Sequence, residues 1–333
     1  MQAKGKENIN QAECLLRTDN LVRHFKDSGL FGSGKGVVHA VDGVSLHIRD
    51  GETMGLVGES GCGKSTLAGL ILRLIEPTSG KIYYRGMDIT DWQGEKLRLW
   101  RRNIQVIFQD THASLNPRMK IGTIIGETLR NFEKYEAQNV EERVEELLTQ
   151  VGLDPGFRDR YPHQFSGGQR QRVSIARALA IKPGIIICDE AVASLDVSIQ
   201  AQILNLLKDL QSLYGFTYLF ISHDLAAVEY ISKSIAVMYL GKIVEIIQSN
   251  HLKEHALHPY TRSLLAAVPL PDPRQRLVYD RLVKGDPPNP ANPPQGCRFY
   301  PRCHLAEKIC SCIEPELQLK SKNSGHQVAC HLA

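Results

Sequence analysis

The sequence predicts an α/β fold built around a parallel β-sheet. Residues 54–76 are typical of a short apolar strand, a glycine-rich turn and a helix in succession. Residues 185–188 and 216–222 form two further apolar runs, and polar side chains follow each run at once. Continuous apolar strands of this length are typical of a parallel sheet that is buried on both faces. These three stretches together favour the α/β class.

The composition is that of an ordinary globular protein. The chain has 333 residues, of which 42% are hydrophobic and 23% charged, so one large domain and a smaller one could each bury a core. No apolar run approaches the roughly 18 residues of a membrane span. The first residues are polar and lack the apolar stretch of a secretory signal. We therefore expect residues 1–13 to be disordered and the chain to be cytosolic.

The charge balance argues against a nucleic-acid partner. The formal net charge is +4, and the densest basic patch, residues 96–102, also contains two leucines and a tryptophan. A nucleic-acid groove would need a longer basic stripe. We expect this patch to form a solvated helix edge or a contact with another protein.

The strongest motif is the stretch from Gly58 to Ser65, a full match to G-x-x-x-x-G-K-[ST]. Its glycines allow backbone N–H groups to converge on phosphate oxygens, and the following helix adds its positive end. We expect Lys64 to reach the β- and γ-phosphates of a nucleotide and the Ser65 hydroxyl to bind Mg²⁺. The similar string at 31–36 has no hydroxyl residue after its lysine, so we expect only a flexible loop there.

The helix after this loop has an apolar face with the spacing i, i+3, i+4 and i+7. We expect the helix to end at Glu76-Pro77, because the residue before a proline is disfavoured in helical conformation. The apolar face consists of Leu67, Leu70, Ile71 and Leu74.

Charged and polar residues follow the two other apolar runs. Asp189 and Glu190 come directly after the run 185–188, and His223 follows the run 216–222. Open α/β sheets place their ligands at the carboxyl ends of the strands, so we expect these side chains near the glycine-rich loop. Asp189 is suited to hold Mg²⁺ through water, Glu190 to polarise an attacking water, and His223 to contact the γ-phosphate.

A second glycine-containing helix start lies upstream, in "YPHQFSGGQRQRVSIARALA" (161–180). A serine and two glycines open a helix with an apolar face, which makes a second anion-binding site at a helix N-terminus. The string from Phe165 to Gln169, followed closely by Asp189 and Glu190, resembles the signature sequence of ABC-type ATPases.

The resemblance implies a P-loop NTPase fold of ABC type over residues 14–250. Such a fold has a RecA-like core, an antiparallel β subdomain and a helical signature subdomain. It also implies a head-to-tail dimer, in which each ATP lies between the P-loop of one subunit and the signature of the other. The signature residues would then act on the ATP of the partner subunit, much as an arginine finger acts in trans. ATP and Mg²⁺ are the implied ligands.

The resemblance also implies a role for individual residues. Phe25 would stack on adenine, Gln109 would sense Mg²⁺ and face the membrane subunit, Asp196 would lie at the dimer seam, and His223 would be the switch histidine. Ala191 departs from the proline that many relatives have after the acidic pair. The nucleotide would be bound by Phe25, Gly58, Ser60, Gly61, Gly63, Lys64, Ser65, Thr66, Gln109 and Asp189, together with Ser166, Gly167, Gly168, Gln169 and Asp196. Mg²⁺ would be held by Ser65, Gln109 and Asp189, and hydrolysis would use Glu190, His223, Lys64 and Gln109.

Five longer strings narrow the resemblance. "LVGESGCGKSTL", "IFQDTHASLNPRM", "YPHQFSGGQRQR", "VMYLGKIVE" and "LHPYTRSLLAAVP" are similar to the ATPase subunits of dipeptide/oligopeptide ABC importers, a group that includes nickel importers. The similarity runs from about Leu15 to the end. It implies two transmembrane permease subunits, a paralogous ATPase or a second copy of this chain as dimer partner, and a solute-binding protein. The chain would then lie peripherally on the cytoplasmic face of the cell membrane.

Five of the eight cysteines fall in the last 37 residues, after the proline-rich segment 285–296. A reducing cytosol disfavours disulfides, and the tight C-x₂₋₄-C pairs that are usual for zinc are missing. Spacing alone leaves Zn²⁺ and a [4Fe–4S] cluster open. Unligated thiols are the third interpretation.

The family resemblance favours a [4Fe–4S] cluster on Cys297, Cys303, Cys310 and Cys330 that staples a small C-terminal domain, residues 251–333. Cys312 is the spare thiol, although it could replace Cys310. His304 and His331 are possible substitutes as ligands.

Two other classes of function compete with the importer ATPase. A soluble ABC-type ATPase acting on nucleic acid or ribosomes would carry long coiled-coil insertions, zinc modules within the ATPase or two ATPase units, and the sequence has none of these features. A non-catalytic nucleotide-binding regulator is disfavoured because the hydrolytic residues are all present.

Overall fold

The computed structural model describes residues 14–26, 36–132, 137–268, 285–321 and 325–333. The N-terminal segment 1–13, expected to be disordered, lies outside these ranges, as does all of the expected loop 31–36 except Gly36. The described residues form an α/β fold with two sheets. No helix in these ranges is both long and apolar enough to cross a lipid bilayer.

The main sheet has eight strands, and its centre is parallel, as the apolar runs predicted. Five strands run parallel to one another: β3 (Thr53–Val57), β6 (Ile104–Phe108), β7 (Ile185–Asp189), β8 (Thr217–Ile221) and β9 (Ser234–Tyr239). Three antiparallel strands extend one edge: β10 (Lys242–Gln248), β11 (Gln318–Ser321) and β12 (His326–Val328). The spatial order is β11-β12-β10-β9-β3-β8-β7-β6, so residues near the C-terminus complete the same sheet that carries the glycine-rich loop.

The second sheet is antiparallel throughout and has the order β2-β1-β4-β5. Its strands are β1 (Cys14–Lys26), β2 (Val37–Arg49), β4 (Ser79–Tyr84) and β5 (Met87–Asp88). In β2, alternate residues from Val44 to Ile48 are buried, which is the pattern of an antiparallel sheet with one covered face. This sheet matches the expected antiparallel β subdomain.

Eleven α-helices surround the sheets within the described ranges. They are α1 (Lys64–Ile71), α2 (Gly94–Asn103), α3 (Thr111–Ser114), α4 (Ile121–Phe132), α5 (Ala137–Gln150), α6 (Gly167–Leu179), α7 (Val197–Tyr214), α8 (Leu225–Ile231), α9 (Leu252–His255), α10 (Pro259–Ala266) and α11 (Lys308–Cys312). Short 3₁₀ helices cover Pro155–Asp159, Pro162–Gln164, Ser249–His251 and Tyr300–Arg302.

The two faces of the main sheet pack into two separate hydrophobic cores. In β7, Ile186 and Cys188 pack into one core with residues of α4, α5 and α6. Ile185 and Ile187 pack into the other with residues of α1 and of the antiparallel sheet. All four side chains are fully buried. The prediction that this run is a strand buried on both faces is confirmed.

The end of α1 differs from the prediction. The helix ends at Ile71, five residues before Glu76, and Leu74 is 61% exposed rather than part of the buried face. Arg73 takes a left-handed conformation, and the N–H groups of Leu74 and Ile75 both donate to the Gly69 carbonyl. A Cβ on Gly69 would lie 2.8 Å from the Ile75 side chain, so the glycine lets the chain fold back. Packing of Ile75, rather than Pro77, therefore ends the helix.

Candidate functional site

The loop between β3 and α1 depends on glycine at several positions. Gly58, Gly61 and Gly63 all have positive φ angles, of 156°, 77° and 111°. A Cβ on Gly58 would lie 2.1 Å from the Met238 carbonyl oxygen, and one on Gly63 would lie 2.1 Å from that of Ala40. The loop therefore packs tightly between β9 and β2, and no residue other than glycine fits at positions 58 and 63.

Lys64 is buried inside this loop. Its Nζ donates hydrogen bonds to the carbonyl oxygens of Gly58 (2.7 Å) and Glu59 (3.0 Å). Only 5% of the residue is exposed. A buried ammonium group surrounded by a glycine-rich backbone is a donor set that suits the oxygens of a nucleotide phosphate. Ser60, Gly61 and Thr66 complete the loop and the first turn of α1.

Ser65 and Asp189 meet at the carboxyl edge of the sheet. The Ser65 hydroxyl donates to Asp189 Oδ1 over 3.4 Å. Burial raises the pKa of Asp189, and the charge of Glu190 adds to this, whereas the Ser65 hydroxyl and Lys64 act in the opposite direction. A hydroxyl and a half-buried carboxylate are oxygen ligands of the kind that Mg²⁺ prefers, so the residues fit this ion.

Glu190 and His223 form a second pair beside the first. His223 Nδ1 lies 3.4 Å from Glu190 Oε1. Glu190 has a φ of 50°, in the left-handed region that residues other than glycine rarely adopt, and its N–H donates to the Ile221 carbonyl of β8. Such strained conformations are concentrated at functional sites. The strained backbone directs the carboxylate away from β7 towards the histidine.

His223 lines a separate cavity of about 300 Å³ together with Gly58 and Glu59, whereas the other side chains of the two pairs line one cavity of about 680 Å³. The lining of this larger cavity includes Ser60, Ser65, Gln109, Asp189 and Glu190. The site residues predicted on three separate segments of the sequence therefore share one space. In the described part of the chain, this lining includes none of the signature residues 166–169.

Arg177 also lines this cavity, and the sequence reasoning did not single it out. Its guanidinium donates to the Ser114 carbonyl over 2.6 Å, and burial lowers its pKa. The available signal was an arginine within the buried apolar stretch Ile175–Leu179 of α6, next to Ala176. Arg177 and Ser114 also line a neighbouring cavity of about 310 Å³.

The signature residues form a capped helix start. Ser166 is the N-cap of α6: its hydroxyl accepts from the Gln169 N–H (3.3 Å), and the Gln169 side chain accepts from the Ser166 N–H (3.0 Å). This reciprocal capping box leaves the Gly167 and Gly168 amides at the helix end. A Cβ on Gly168 would lie 2.5 Å from Ile199 of α7, so the glycine permits close helix packing. Asp196 occupies the N-cap position of α7 without a capping side-chain bond.

Phe25 lies half-buried near the end of β1, opposite Val38 of β2. The Arg23 guanidinium lies 4.6 Å from the centre of its ring. Ala40, two residues after Val38, contacts Gly63 of the loop. The strand pair β1–β2 therefore brings Phe25 towards the phosphate-binding loop.

The C-terminal cysteines are all unpaired, as are the other described cysteines. The Cys297 N–H donates to the Cys310 carbonyl (2.8 Å), which joins two of the cysteine segments. Burial raises the pKa of Cys297 to about 11, and the Cys310 and Cys330 thiols contribute to the shift. Burial also raises the pKa of Cys303, again with contributions from Cys330 and Cys310. The four thiols are therefore electrostatic neighbours.

The spacing of the four thiols does not match a preformed site for a single metal ion. Within the described ranges, no three of the sulfur atoms lie within 4.8 Å of one another, so no compact single-ion site is formed. The one group of described residues that meets this spacing is His24, His39 and Asp42. Asp42 is already paired with the guanidinium of Arg298. Burial alone would raise the pKa of Asp42, but Arg298 and Lys242 outweigh it and lower the pKa. This group is therefore an ion-pair network.

The loop and its acidic partners would suit many nucleotide-binding proteins. The serine-capped glycine helix α6, placed just before the acidic strand β7, narrows the class to ABC-type ATPases. Residues 41–193 match the family described as ABC transporter. Residues 244–310 match the family described as Oligopeptide/dipeptide transporter, C-terminal region.

Similar proteins narrow the class further. The chain is 50% identical over 323 residues to the oligopeptide transport ATP-binding protein AppF of Bacillus subtilis (strain 168), covering 96% of this chain and 98% of that protein. It is 49% identical over 323 residues to OppF of Escherichia coli (strain K12), covering 96% of each. The dimeric ATP-binding cassette MJ0796, solved with ADP and Pi, has a TM-score of 0.62 at 28% identity and covers 71% of this chain and 99% of that one.

The chain therefore belongs to the ATP-binding subunits of oligopeptide/dipeptide-type ABC transporters. The resemblance seen in the sequence is confirmed, and so is the ABC ATPase fold. The alternative of an ATPase acting on nucleic acid or ribosomes is not favoured.

Proposed function

We propose that this chain binds and hydrolyses ATP and thereby powers the import of peptides through a membrane transporter. The observation that carries this function is the pairing of Ser65 with Asp189, and of Glu190 with His223, in a chain 50% identical to an oligopeptide transport ATP-binding protein. Ser65, Asp189 and Glu190 line one cavity. Both pairs are formed by residues whose chemistry suits phosphoryl transfer.

The nucleotide is held from the loop outward. Lys64 and the backbone N–H groups of residues 58–66 bind the β- and γ-phosphates, and Phe25 stacks on the base. Ser65, Asp189 and Gln109 provide the oxygen ligands for Mg²⁺, which when bound neutralises the charge that develops on the phosphates. The burial of Lys64 and of the Asp189 carboxylate supports these roles.

Hydrolysis depends on the second pair. The Glu190 carboxylate accepts a hydrogen bond from the attacking water and polarises it towards the γ-phosphate. His223, 3.4 Å from this carboxylate, keeps it oriented and contacts the γ-phosphate itself. The left-handed backbone at Glu190 supports an orientation fixed before the substrate arrives.

The site is completed by a second ATPase subunit. Ser166, Gly167, Gly168, Gln169 and Asp196 serve the ATP of the partner, which is a paralogous chain or a second copy of this one. Two facts support this arrangement: the described lining of the cavity contains none of these residues, and the similar cassette MJ0796 was solved as a dimer.

The chain acts at the cytoplasmic face of the membrane. Its partners are two transmembrane permease subunits, which contact the groove around Gln109, and, indirectly, a solute-binding protein. Residues 14–250 form the ATPase domain and residues 251–333 the C-terminal domain of the importer type. The cargo class, dipeptides and oligopeptides, follows from the names of the relatives, and nickel is the alternative cargo.

Transport by the assembled protein tests this function. The chain is purified from membranes with its associated subunits, reconstituted into vesicles, and given labelled dipeptides, longer peptides and Ni²⁺ in separate experiments. ATP-dependent peptide uptake that stops in a Glu190→Gln variant is the expected result. The function is wrong if the chain purifies without membrane subunits and instead carries RNA or ribosomes.

For the C-terminal domain we propose a [4Fe–4S] cluster bound by Cys297, Cys303, Cys310 and Cys330, with Zn²⁺ as the alternative. The mutual electrostatic influence of these thiols supports a common ligand. Such a cluster would cross-link three segments of a small domain.

Metal analysis decides between these ligands. Protein purified without oxygen is expected to contain about four iron atoms per chain and to absorb visible light. A Cys310→Ser variant loses the iron, whereas Cys14→Ser, in β1, keeps it. Stoichiometric zinc without iron would show that the ligand is Zn²⁺ and not the cluster. An absence of both metals would contradict the proposal.

A further inference from the structure

The turn from Cys297 to Cys303 reaches the phosphate-binding loop through a buried arginine. The two terminal nitrogens of Arg302 donate to the two carboxylate oxygens of Glu59, over 2.8 Å and 3.0 Å. Glu59 is the second residue of the loop, next to Gly58. The Arg302 side chain is 7% exposed and that of Glu59 27% exposed. A paired-donor contact between an arginine and a carboxylate is the strongest kind of ion pair, and shielding from water strengthens it further.

The main chain of Glu59 is held by the same end of the protein. Its N–H donates to the Tyr260 hydroxyl over 2.8 Å, and Tyr260 is fully buried at the start of α10. The Glu59 carbonyl in turn accepts from Lys64 Nζ. The side chain, N–H and carbonyl of this one residue therefore link the C-terminal region directly to the lysine that binds phosphate.

Aromatic packing keeps this arrangement rigid. The rings of Tyr239, Tyr260 and Phe299 contact one another, with centres 4.7 Å to 5.4 Å apart. Arg302 also donates to the Tyr239 hydroxyl over 3.3 Å. Within the turn, the Arg302 N–H donates to the Phe299 carbonyl. The guanidinium therefore approaches Glu59 from a fixed base.

The charge of the pair matters for an anionic ligand. A carboxylate within the phosphate-binding loop would repel a polyphosphate if it had no cationic partner, because both charges lie in a poorly hydrated region. Arg302 neutralises it and at the same time fixes the backbone that presents the N–H groups. Removal of the Arg302 guanidinium should therefore lower the affinity for the nucleotide.

We propose that Arg302 is a positioning residue of the ATP site, which through Glu59 holds the phosphate-binding loop in its binding conformation and so makes nucleotide affinity depend on the folded C-terminal turn. This inference rests on the ATP binding proposed above. Arg302 acts through Glu59 and does not contact the nucleotide. Because the loop holds substrate and transition state alike, the effect falls on KM and Kd and leaves kcat at saturating ATP largely unchanged.

A double-mutant cycle tests the pair. Binding of a fluorescent ATP analogue with Mg²⁺ and the KM and kcat of ATP hydrolysis are measured for the wild type, Arg302→Met, Glu59→Gln and the combination. Arg302→Met should raise Kd and KM at least tenfold and change kcat less than threefold. In the Glu59→Gln background, Arg302→Met should change Kd less than threefold, since the ion pair is already absent there. The Kd and KM of Arg302→Lys should lie between those of the wild type and Arg302→Met, because lysine keeps the charge but not the paired geometry.

A matched control distinguishes an effect on the phosphate-binding loop from a general loss of stability in the C-terminal region. Arg262 lies in α10 and donates to the Ala256 carbonyl (2.7 Å), away from Glu59. Arg262→Met should leave Kd within threefold of wild type. Thermal unfolding without nucleotide shows whether each variant is folded. If Arg302→Met does not fold, Glu59→Gln combined with Arg302→Lys completes the cycle instead.

The outcomes are distinct. Wild-type protein that binds no nucleotide contradicts the proposed ATPase function itself. Wild-type protein that binds normally, with a folded Arg302→Met variant within threefold of its Kd, overturns only the positioning role. The proposal is also overturned if Arg302→Met raises Kd by the same factor in the Glu59→Gln background as in the wild-type background, because the effect would then not pass through Glu59.

Discussion

His258 gives the C-terminal region a stability that depends on pH. It is the N-cap of α10, where its Nδ1 accepts from the Tyr260 N–H (3.1 Å), and it is 1% exposed. Burial lowers its pKa to about 3. The Glu245 carboxylate accepts a hydrogen bond from the backbone N–H of His258 and also contacts His326. The Phe299 ring lies beside the His258 ring. No proton can therefore be added without charging a buried ring.

The sign of the effect follows from the direction of this shift. In the unfolded chain a histidine has a pKa of about 6.5, so below this pH the unfolded state binds a proton that the folded state does not. Stability is complete above about pH 6.5 and is lost progressively as the pH falls towards 3. At pH 5.0 the loss from this one group is about 2 kcal/mol, from 1.36 kcal/mol per unit over roughly 1.5 units.

Urea unfolding of His258→Asn measures this contribution. Asparagine keeps a capping acceptor but does not titrate, and all other ionisable groups are common to both proteins. The variant should be less stable than the wild type at pH 7.5 because packing is lost. At pH 5.0 the gap should narrow, or reverse, by about 2 kcal/mol relative to pH 7.5. A difference in unfolding free energy that is the same at both pH values would show that His258 does not stay neutral in the folded protein.

Three further predictions concern the ATP site. Glu190→Gln should lower ATP turnover by about 10²–10⁴ in a phosphate-release assay while ATP binding is kept, and normal turnover would exclude Glu190 as the base. Gly63→Ala should abolish nucleotide binding, because the new Cβ would lie 2.1 Å from the Ala40 carbonyl; Gly86→Ala, with open space around it, is the control and should bind normally. Ser166→Ala should cost about 1 kcal/mol of stability through the lost cap and weaken ATP-dependent pairing of subunits, so unchanged pairing in sedimentation would contradict its role.

Local patterns allowed the core of the fold to be predicted. β7 and β8 lie where the apolar runs placed them, and the capped start of α6 follows from a serine, two glycines and a glutamine within four residues. The convergence of Ser65, Asp189 and Glu190 could also be expected, since parallel strands end at one edge of a sheet. Each of these features depends on residues close together in the sequence or on a general rule of topology.

Features that depend on how particular side chains pack were not predictable. The end of α1 is set by Ile75 folding over Gly69, a contact that periodicity does not encode. Glu59 and Arg302 are 243 residues apart and carry no motif that links them. The cysteine spacing left the ligand open, because the distances between the thiols depend on how separate segments of the chain fold together. A single sequence gives no information on these contacts.

We propose above that each ATP lies between two ATPase subunits. Sedimentation of the Glu190→Gln chain with ATP or with ADP, alone and together with its membrane subunits, tests this most directly, with Ser166→Arg in the same chain as a control. We expect ATP, but not ADP, to join two ATPase chains, and Ser166→Arg to prevent this. A chain that binds ATP but remains single under both conditions would contradict it.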